Sequence, residues 1–346
     1  SVEVRPARTL LGVCAAVDGR KTLPLACPRS CTEAPMPDLA DVRGQAQARR
    51  ALEIAAAGAH HLLLVGPPGS GKTLLASRLG GILPEPVDAE ALEAASIASA
   101  SGRGLDLARW RQRPFRAPHH TASAAALVGG GSDPRPGEIS LAHHGTLFLD
   151  ELPEWSRHAL EVLREPLESG SVSISRAARQ CEFPARFQLV AAMNPCPCGW
   201  AGDPSGRCLC SDEAIRRYRG RISGPLLERI DLHVEVPRIP PTALRTDGPP
   251  GEASALVRAR VIAARARQYD RCGQANARLD QAQTNAFCRL SPRDTALLER
   301  AVDGLQLSAR SLHRILRVAR TIADLAGSDT IETAHLTEAI GYRKLE

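Results

Sequence analysis

Short apolar runs alternate with segments of helical periodicity in the first two thirds of the chain. The runs at Leu62–Val65, Thr146–Leu149, Gln188–Met193 and 232–236 each have the length of a buried strand. Strands that alternate with helices in this way are typical of a mainly parallel sheet covered by helices. The pattern therefore predicts an α/β domain over residues 36–238.

The pattern changes after the prolines at positions 237, 240 and 241, where helices follow one another without strands. Helical periodicity extends over 254–269, 292–303, 308–325 and 330–342. In the first of these segments Val257, Val261 and Ala264 recur at i, i+4 and i+7, which places them on one apolar stripe. An all-helical domain is therefore predicted over residues 239–346.

Residues 1–35 contain glycines and prolines at short intervals. The stretch is too short and too often interrupted to form a domain. We expect it to be the tail of an N-terminal domain that is missing from this sequence, followed by a linker.

The predicted strand at Leu62–Val65 runs directly into a glycine-rich loop and a helix. The loop has the spacing G-x-x-x-x-G-K-[ST], in which glycines allow backbone N–H groups to converge on phosphate oxygens and the helix N-terminus adds its positive dipole. Lys72 is placed to reach the β- and γ-phosphates of ATP, and the Thr73 hydroxyl to hold Mg²⁺. The predicted nucleotide-binding residues are Gly66, Pro67, Pro68, Gly69, Ser70, Gly71, Lys72, Thr73 and Leu74.

Two adjacent carboxylates follow the apolar run Thr146–Leu149. Asp150, at the end of the strand, is placed to bind Mg²⁺ through water. Glu151 is placed to polarise the water that attacks the γ-phosphate. Because nucleotide binding alone needs no such base, the pair predicts hydrolysis, and Lys72, Asp150 and Glu151 become candidate catalytic residues.

Composition and charge narrow the classes of function. The 346 residues are enough for two domains with a hydrophobic core, although aromatic residues make up only 3%. Because no apolar run reaches 18 residues and no signal peptide is recognisable, we expect a cytoplasmic protein with no membrane partner. The net charge of +6, from 44 basic and 38 acidic residues, permits a polyanionic partner without requiring one.

Four of the ten cysteines form two C-x-C pairs. Cys196 with Cys198 and Cys208 with Cys210 are separated by nine residues that favour turns. Such a segment is able to fold back and bring four thiolates around one tetrahedral Zn²⁺. Four protein ligands leave no open coordination position, so the spacing predicts a structural zinc that braces a loop. Reduced cysteines without a metal are the alternative.

Several motifs occur in the order typical of AAA+ ATPases. The P-loop and the Asp150-Glu151 pair are followed by a strand that ends at Asn194, the sequence SGPLLERIDL at 223–232, and Arg310 near the start of a predicted helix. These features resemble a P-loop AAA+ core, with a parallel sheet flanked by helices, followed by an all-helical lid.

A narrower resemblance rests on two further segments. RPFRAPHHTAS at 113–123 and PGEISLAHHG at 136–145 resemble the YifB/ComM family of magnesium-chelatase-like AAA+ ATPases. The resemblance covers about residues 36–346. Members of this family carry an N-terminal Lon-protease-like domain, of which residues 1–35 would be the tail.

The resemblance implies roles for three polar residues. Asn194 would occupy the sensor-1 position, where its amide orients the attacking water or senses the γ-phosphate. Arg229 resembles the arginine finger delivered to a neighbouring subunit's ATP, since a guanidinium is always charged and binds phosphate as a fork; Arg221 is the substitute candidate. Arg310 resembles sensor 2, which serves either its own subunit or the adjacent one.

Two insertions are expected to face the substrate. The segment 127–133 resembles a helix-2 insertion loop, and its three glycines predict mobility. In the segment 170–184 apolar residues alternate with serine and a turn then carries Arg176 and Arg179, which predicts a β-hairpin. In a closed ring such a hairpin would line the channel, where both arginines would contact DNA phosphates without reading sequence. A basic hairpin on the outer surface is the alternative.

Two other clusters have less specific interpretations. One is a basic cluster of four arginines: Arg216, Arg217, Arg219 and Arg221. It is equally compatible with a phosphate-binding patch and with a subunit interface. Two His-His pairs, His119-His120 and His143-His144, are expected to anchor loops rather than to bind a metal.

These features and the resemblance together predict a ring-forming motor, expected as a homo-hexamer, that uses ATP and Mg²⁺ to translocate on DNA. The family resemblance implies branch-migration helicase activity in recombination, including natural transformation. Two alternatives stay open. One is the motor subunit of a metal chelatase, and the other is a protein-remodelling ATPase with no nucleic-acid partner.

Overall fold

The computed structural model of the chain describes residues 3–26, 34–102, 104, 106–131, 134–176, 179–239 and 251–343, with the backbone alone at 175, 176 and 179. Cys27, Cys31, the end of the glycine-rich insertion and the side chains of Arg176 and Arg179 lie outside the described part. The chain divides into two units, Ser1–Pro35 with Asp106–Arg109, and Met36–Leu105 with Trp110–Glu346.

The smaller unit contains the helix α1 (Leu10–Val17), which the sequence analysis does not predict. The Thr9 hydroxyl caps this helix by accepting the Gly12 N–H at 3.2 Å. Leu10, Leu11 and Val17 are about four fifths exposed.

A five-stranded parallel sheet forms the centre of the larger unit. The nine strands of the described chain are β1 (Leu62–Val65), β2 (Phe115–Arg116), β3 (Gly129–Gly130), β4 (Arg135–Pro136), β5 (Thr146–Leu149), β6 (Ser171–Arg176), β7 (Arg179–Pro184), β8 (Gln188–Met193) and β9 (Leu232–Glu235). The sheet has the order β2-β5-β8-β1-β9 with every pairing parallel. All four strands predicted from apolar runs belong to it. The edge strand β2 is too short to produce a periodic signal.

Helices cover the sheet and continue after it. Those of the α/β part are α2 (Ala46–Gly58), α3 (Lys72–Ile82), α4 (Asp88–Ala100), α5 (Ala124–Val128), α6 (Glu138–Leu141), α7 (Arg157–Glu161), α8 (Arg164–Ser169), α9 (Asp212–Arg219) and α10 (Gly224–Leu227). The C-terminal helices are α11 (Ser254–Cys272), α12 (Gln281–Phe287), α13 (Pro292–Gly304), α14 (Ala309–Leu325) and α15 (Thr333–Gly341). No strand occurs between residues 251 and 343, so the architecture confirms the predicted fold class.

Alternation along the central strands divides the core between the two faces of the sheet. Leu62 and Leu64 belong to a cluster that includes residues of α2, α3, α11 and α14. Leu63 and Val65 belong to a second cluster, which contains Trp155. Because every residue of β1 is buried, its sequence is a continuous apolar run.

The apolar stripe predicted on the first C-terminal helix fixes that helix to the α/β part. Val257, Val261 and Ala264 are buried, and α11 packs against α2 and α3. At the start of α14 the Ser308 hydroxyl accepts the Ser311 N–H at 3.3 Å. The helical region therefore shares its core with the sheet.

Both insertions form antiparallel pairs. Strands β6 and β7 pair from Ser171 opposite Pro184 to Arg176 opposite Arg179, so the two arginines lie next to the turn. Strands β3 and β4 form a shorter pair in the glycine-rich insertion. There Gly129 has φ of +98°, and a Cβ on it would lie 2.1 Å from the Arg135 carbonyl oxygen. This glycine is required by a close backbone approach, whereas the sequence analysis attributed it to mobility.

Among the described residues, no helix has both the length and the apolar character needed to cross a membrane.

Candidate ATP site and its surroundings

The P-loop follows β1, and its last residues begin α3. A Cβ on Gly66 would lie 2.2 Å from the Val236 carbonyl oxygen, so no side chain fits there. Gly71 has φ of +89° and directly precedes α3. The Gln45 side-chain amide donates to the Ser70 carbonyl oxygen at 2.5 Å, which ties the loop to the residue before α2.

The Lys72 ammonium is surrounded by oxygen atoms. Its Nζ donates to the carbonyl oxygens of Gly66 at 2.7 Å and Pro67 at 3.0 Å, and to Asn194 Oδ1 at 3.1 Å. Burial lowers the pKa of Lys72, and the nearby charges of Asp150 and Glu151 partly offset that decrease. This ammonium is therefore positioned for phosphate oxygens and is already in contact with the sensor-1 candidate.

The Mg²⁺ candidates contact each other directly. Thr73 Oγ1 donates to Asp150 Oδ2 at 2.7 Å, and Asp150 Oδ1 accepts the Glu151 N–H at 2.9 Å. The Trp155 indole N–H donates to the Asp150 carbonyl oxygen at 3.0 Å and holds the end of β5. A hydroxyl and a carboxylate side by side are the oxygen ligands that Mg²⁺ prefers, so the residues fit this ion.

Glu151 occupies an unusual backbone conformation. Its φ of +52° lies in the left-handed region that few residues other than glycine adopt. Its carboxylate is half exposed, and Oε2 lies 2.9 Å from His120 Nδ1. His120 is thus a neighbour of the catalytic candidate, although the sequence analysis assigns it only a loop-anchoring role.

These groups surround one cavity of about 390 Å³, lined by Pro68, Gly69, Gly71, Lys72, Thr73, Asp150, Glu151, Met193 and Asn194. Asp150, Glu151 and Asn194 follow β5 and β8, while Lys72 and Thr73 begin α3 after the loop that follows β1; parallel strands bring these carboxyl ends to the same edge.

The four paired cysteines lie close together. Their Sγ atoms are all within 4.8 Å of one another, and the Cys196–Cys198, Cys196–Cys208 and Cys198–Cys208 distances are 3.3, 3.8 and 3.7 Å. Tetrahedral Zn²⁺ with bonds of about 2.3 Å separates its sulfurs by roughly 3.8 Å. The Trp200 backbone N–H at Cys198 lowers the pKa of that thiol to about 6, whereas the neighbouring sulfurs raise the pKa of Cys208 and raise that of Cys210 to about 11.

The cysteine loop touches the ATP cavity. A Cβ on Gly199, which has φ of +82°, would lie 2.6 Å from Pro68 Cδ and 3.7 Å from Asn194 Cγ. The Arg219 guanidinium donates to the Pro195 carbonyl oxygen at 3.2 Å, just before the first cysteine. The loop is therefore in van der Waals contact with both the P-loop and the sensor-1 candidate.

The arginine-finger candidate is held inside the subunit. The Arg229 side chain is only 7% exposed and forms an ion pair with Glu168. It also donates to the Pro225 carbonyl oxygen at 2.6 Å. Burial lowers the pKa of Arg229, Glu168 opposes that effect, and Arg164 and Arg310 repel its charge. The sequence contains no signal for Glu168, which lies 61 positions away from its partner.

The other arginine candidates, Arg310 and Arg221, are more exposed than Arg229. Arg310 is exposed in the first turn of α14. Arg221, whose side chain is about half exposed, pairs with Glu154 at 3.0 Å. In the neighbouring basic cluster, Arg217 pairs with Glu213 at 2.7 Å.

The second His-His pair has a carboxylate partner that the sequence analysis did not identify. Glu93 Oε2 lies 3.0 Å from His143 Nε2 and 2.7 Å from His144 Nε2. However, His143 Nδ1 accepts the Arg186 N–H at 2.9 Å, so the proton of the neutral ring lies on Nε2 and is donated to Glu93. This tautomer anchors the loop and leaves no lone pair for a metal.

Comparison with known proteins shows two family matches. Residues 38–244 match the family described as magnesium chelatase, subunit ChlI, and residues 251–343 match its C-terminal region. The chain is 52% identical to competence protein ComM of Haemophilus influenzae, over 98% of this chain and 67% of ComM.

Two further relatives are similar to this chain, one over nearly all of it and one over about a third. Identity to uncharacterized protein YifB of Escherichia coli is 51%, over 97% of this chain and 66% of YifB. The magnesium-chelatase subunit ChlI of Anabaena variabilis is 27% identical over 110 residues, 32% of this chain and 26% of that subunit. The chain spans about two thirds of the length of ComM and YifB. It belongs to the YifB/ComM family of magnesium-chelatase-like AAA+ ATPases.

Proposed function

We propose that this chain is the motor part of a ring-forming enzyme that hydrolyses ATP in order to translocate on DNA. The observation that carries the hydrolytic part is the convergence of Lys72, Thr73, Asp150, Glu151 and Asn194 on one cavity. Family membership implies ATP and Mg²⁺ as cofactors. The DNA substrate and the hexameric ring are the further steps of the proposal.

In the proposed mechanism each residue keeps the position described above. The P-loop N–H groups and the Lys72 ammonium bind the phosphates, and the ammonium exchanges its carbonyl acceptors for phosphate oxygens. Mg²⁺, held by Thr73 and Asp150, would neutralise charge on the β- and γ-phosphates. Glu151 accepts a proton from the attacking water, while the Asn194 amide orients it.

The finger role of Arg229 requires an exchange of partners. In the subunit its charge is neutralised by Glu168, whereas in a ring the γ-phosphate of a neighbour's ATP would replace that carboxylate. The positive charges of Arg164 and Arg310 act on Arg229, so the three arginines form one basic patch. We infer that this patch is the surface that acts on the adjacent subunit and that Arg310 serves that subunit's nucleotide.

A structural Zn²⁺ on Cys196, Cys198, Cys208 and Cys210 is part of the proposal. The sulfur separations match those of a tetrahedral thiolate site, and the four ligands would leave no position for substrate. Its contribution would be to hold the loop that contacts Pro68 and Asn194.

DNA is proposed as the substrate because of the hairpin and because of the name of one relative. Arg176 and Arg179 are opposite each other at the tip of β6 and β7, and the relative is named a competence protein. Two arginines at a hairpin tip suit contacts to backbone phosphates, which carry no sequence information. A competence-associated role in recombination, with branch-migration activity, is the form of the function that we propose.

The second candidate is the motor of a metal chelatase. It is favoured by the 27% identity to the chelatase subunit of Anabaena variabilis, although that match covers only about a third of the chain.

ATPase measurements separate these functions. Single-stranded or forked DNA should increase the steady-state rate of ATP hydrolysis. The double variant Arg176→Ala/Arg179→Ala should keep the basal rate and lose this increase. Stimulation by a protein partner in place of DNA would contradict translocation on DNA and favour the chelatase or remodelling alternatives.

A further inference from the structure

A second cavity, of about 490 Å³, lies at the edge of the sheet opposite the ATP site. Its wall includes His61, Gly145 and Asp231, which directly precede β1, β5 and β9. The ATP-site residues follow the opposite ends of β1, β5 and β8, so the sheet separates the two cavities. On its other side the cavity is bounded by residues of α11 and α14.

Positive charge in this cavity exceeds negative charge. The lining arginines are Arg113, Arg186, Arg265, Arg278, Arg314 and Arg317. Two of them have carboxylate partners, since Arg113 pairs with Glu90 at 2.8 Å and Arg314 pairs with Asp231 at 2.6 Å. The third lining carboxylate, Glu168, is paired with Arg229.

Within the described part of the chain, four lining arginines therefore have no acidic partner. Arg265 donates through both Nε and Nη2 to the Ala56 carbonyl oxygen, at 3.2 and 2.8 Å, and keeps Nη1 for another acceptor. Arg317 donates to Thr284 Oγ1 at 3.2 Å. The guanidinium groups of Arg186 and Arg278 contact no acceptor among the described residues, which leaves their forked donors available.

The guanidinium groups that line the cavity repel one another, which lowers the pKa of Arg265. Burial lowers the pKa of Arg265 to about 10, and the positive charges of Arg113 and Arg278 lower it further. Like charges held together in a partly buried site are unfavourable unless an anion neutralises them. The cavity has the size, charge and donors that such an anion needs.

We propose that this cavity is a second phosphate-binding site and that it receives backbone phosphates of the DNA strand engaged by the β6–β7 hairpin. Phosphate is the chemistry indicated, because forked guanidinium donors bind its oxygens in pairs. The choice of DNA as the source of phosphate rests on the proposed function, whereas the phosphate chemistry does not.

The position of Arg186 supports a nucleic-acid source. Arg186 follows β7 by two positions, and a Cβ on Gly170, just before β6, would lie 3.0 Å from Arg186 Cγ. This arginine therefore packs against the base of the hairpin.

The first test measures the salt dependence of DNA binding. Anisotropy of a fluorescein-labelled oligodeoxythymidylate is followed at several salt concentrations for wild type and for Arg186→Gln/Arg278→Gln. Because each phosphate contact on a single strand contributes about 0.7 to the slope of log K against log salt, the double variant should lose roughly 1.4. Arg293→Gln/Arg300→Gln on α13 removes the same charge outside the cavity and should retain more of the slope. Equal slopes for the two double variants would reject the DNA contact.

The second test uses pyrophosphate and needs no DNA. Titration calorimetry is done with the ATP cavity filled by Mg²⁺ and a non-hydrolysable ATP analogue, so that only a second site responds. Wild type should bind pyrophosphate, and Arg186→Gln/Arg278→Gln should lose that binding while the α13 control keeps it. Equal pyrophosphate binding by the cavity variant and wild type, or none by wild type, would overturn the phosphate site.

The two tests distinguish this inference from the proposed function. If pyrophosphate binding depends on the cavity but the DNA slope does not, the site takes free phosphates and the DNA source is rejected. If wild type binds no DNA, translocation on DNA fails, and the pyrophosphate titration alone decides the cavity. If only Arg176→Ala/Arg179→Ala lowers the DNA slope, the DNA function stands and the cavity is excluded from it. Arg278→Gln alone controls for folding, because it replaces a guanidinium that contacts no acceptor among the described residues.

Discussion

Glu151 combines a solvent-accessible carboxylate with a backbone fixed in the left-handed region. The adjacent Asp150 is tied to Thr73, so the two acids differ in environment although they are neighbours in sequence. Asp150 is oriented for an ion, whereas Glu151 is half exposed and contacts His120 at 2.9 Å. At the scale of single residues, we propose that these different environments separate nucleotide binding, through Asp150, from turnover, through Glu151.

The change Glu151→Gln should therefore uncouple nucleotide binding from turnover. We expect ATP affinity to be retained and the turnover number to fall by at least ~10²-fold, because the amide cannot accept the proton of the attacking water. Lys72→Ala should weaken ATP binding itself. Fluorescent-nucleotide titration and steady-state ATPase assays measure the two effects. Glu154→Gln, which removes a nearby carboxylate paired with Arg221, serves as the control. A Glu151→Gln protein that turns over normally would show that another group is the base.

How far the sequence predicts the site depends on the separation of the contacting residues. Lys72 and Thr73 are predictable because strand, loop and helix are contiguous, and the structure places these two residues at the cavity. The contacts of His120 with Glu151 and of Glu168 with Arg229 join residues 31 and 61 positions apart. Such contacts depend on the folded topology and leave no periodic or local signal, so only the structure reveals them.

At the scale of elements, burial decides which parts of the fold are predictable. Strands β1, β5 and β8 are buried along their whole length and therefore appear as apolar runs. Strand β2 has only two residues, and α1 has no buried residue, so neither has a detectable pattern. The cysteine loop has no regular structure, yet its ligand spacing alone suffices to predict that its four thiols converge.

The cysteine loop leads to a prediction about metal content. Purified protein should contain about one zinc per chain, and Cys196→Ser or Cys208→Ser should release it and lower the melting temperature. The physical reason is that three cysteine ligands hold Zn²⁺ less tightly than four, and without the metal the segment loses its brace against the P-loop. Elemental analysis and thermal unfolding measure the two effects.

A matched control for the zinc prediction is Cys14→Ser, which changes an exposed cysteine in α1. This variant should keep both zinc and stability. Absence of zinc from freshly purified, reduced wild-type protein would contradict the metal site.

At the scale of the whole molecule, buried histidines make stability depend on pH. Burial lowers the pKa of His61 to about 4 and of His233 to about 3, from an ordinary value of 6.5. As the pH falls below 6.5, the unfolded chain binds protons that the folded chain does not. The stabilisation is thus complete above pH 6.5 and is lost progressively toward pH 4.

We therefore expect the free energy of unfolding to decrease between pH 7 and pH 4, by up to roughly 3 kcal/mol for a histidine such as His61. Asp231 should contribute a further loss only below about pH 4, because Arg314 and His60 outweigh its burial and hold its pKa well below the ordinary value. Urea unfolding at several pH values measures the effect. His61→Asn, whose amide oxygen is able to accept the Leu189 N–H in place of Nδ1, should flatten the dependence. A wild-type stability that does not change over this range would contradict the explanation.

In the proposed ring, each active site needs residues from two neighbouring subunits, which leads to a prediction for mixtures of variants. Arg229→Ala subunits should bind ATP normally and hydrolyse it slowly, because their active sites are intact but the finger is absent. Lys72→Ala subunits should be inactive in their own sites while still offering Arg229 to a neighbour. When the two proteins are mixed under conditions of subunit exchange, an interface that pairs an intact site with an intact finger becomes competent. Steady-state ATPase activity of the mixture should therefore exceed that of either protein alone.

The control mixes Lys72→Ala subunits with subunits that carry both changes, which provides no competent interface and should stay inactive. Loss of nucleotide binding by the Arg229→Ala protein as a monomer would instead assign Arg229 to its own subunit's site. Unchanged activity of Arg229→Ala rings would remove it from catalysis and leave it as the partner of Glu168. Because Arg229 is paired with Glu168 in the subunit, the proposed action on a neighbour's ATP requires this ion pair to open when the ring assembles.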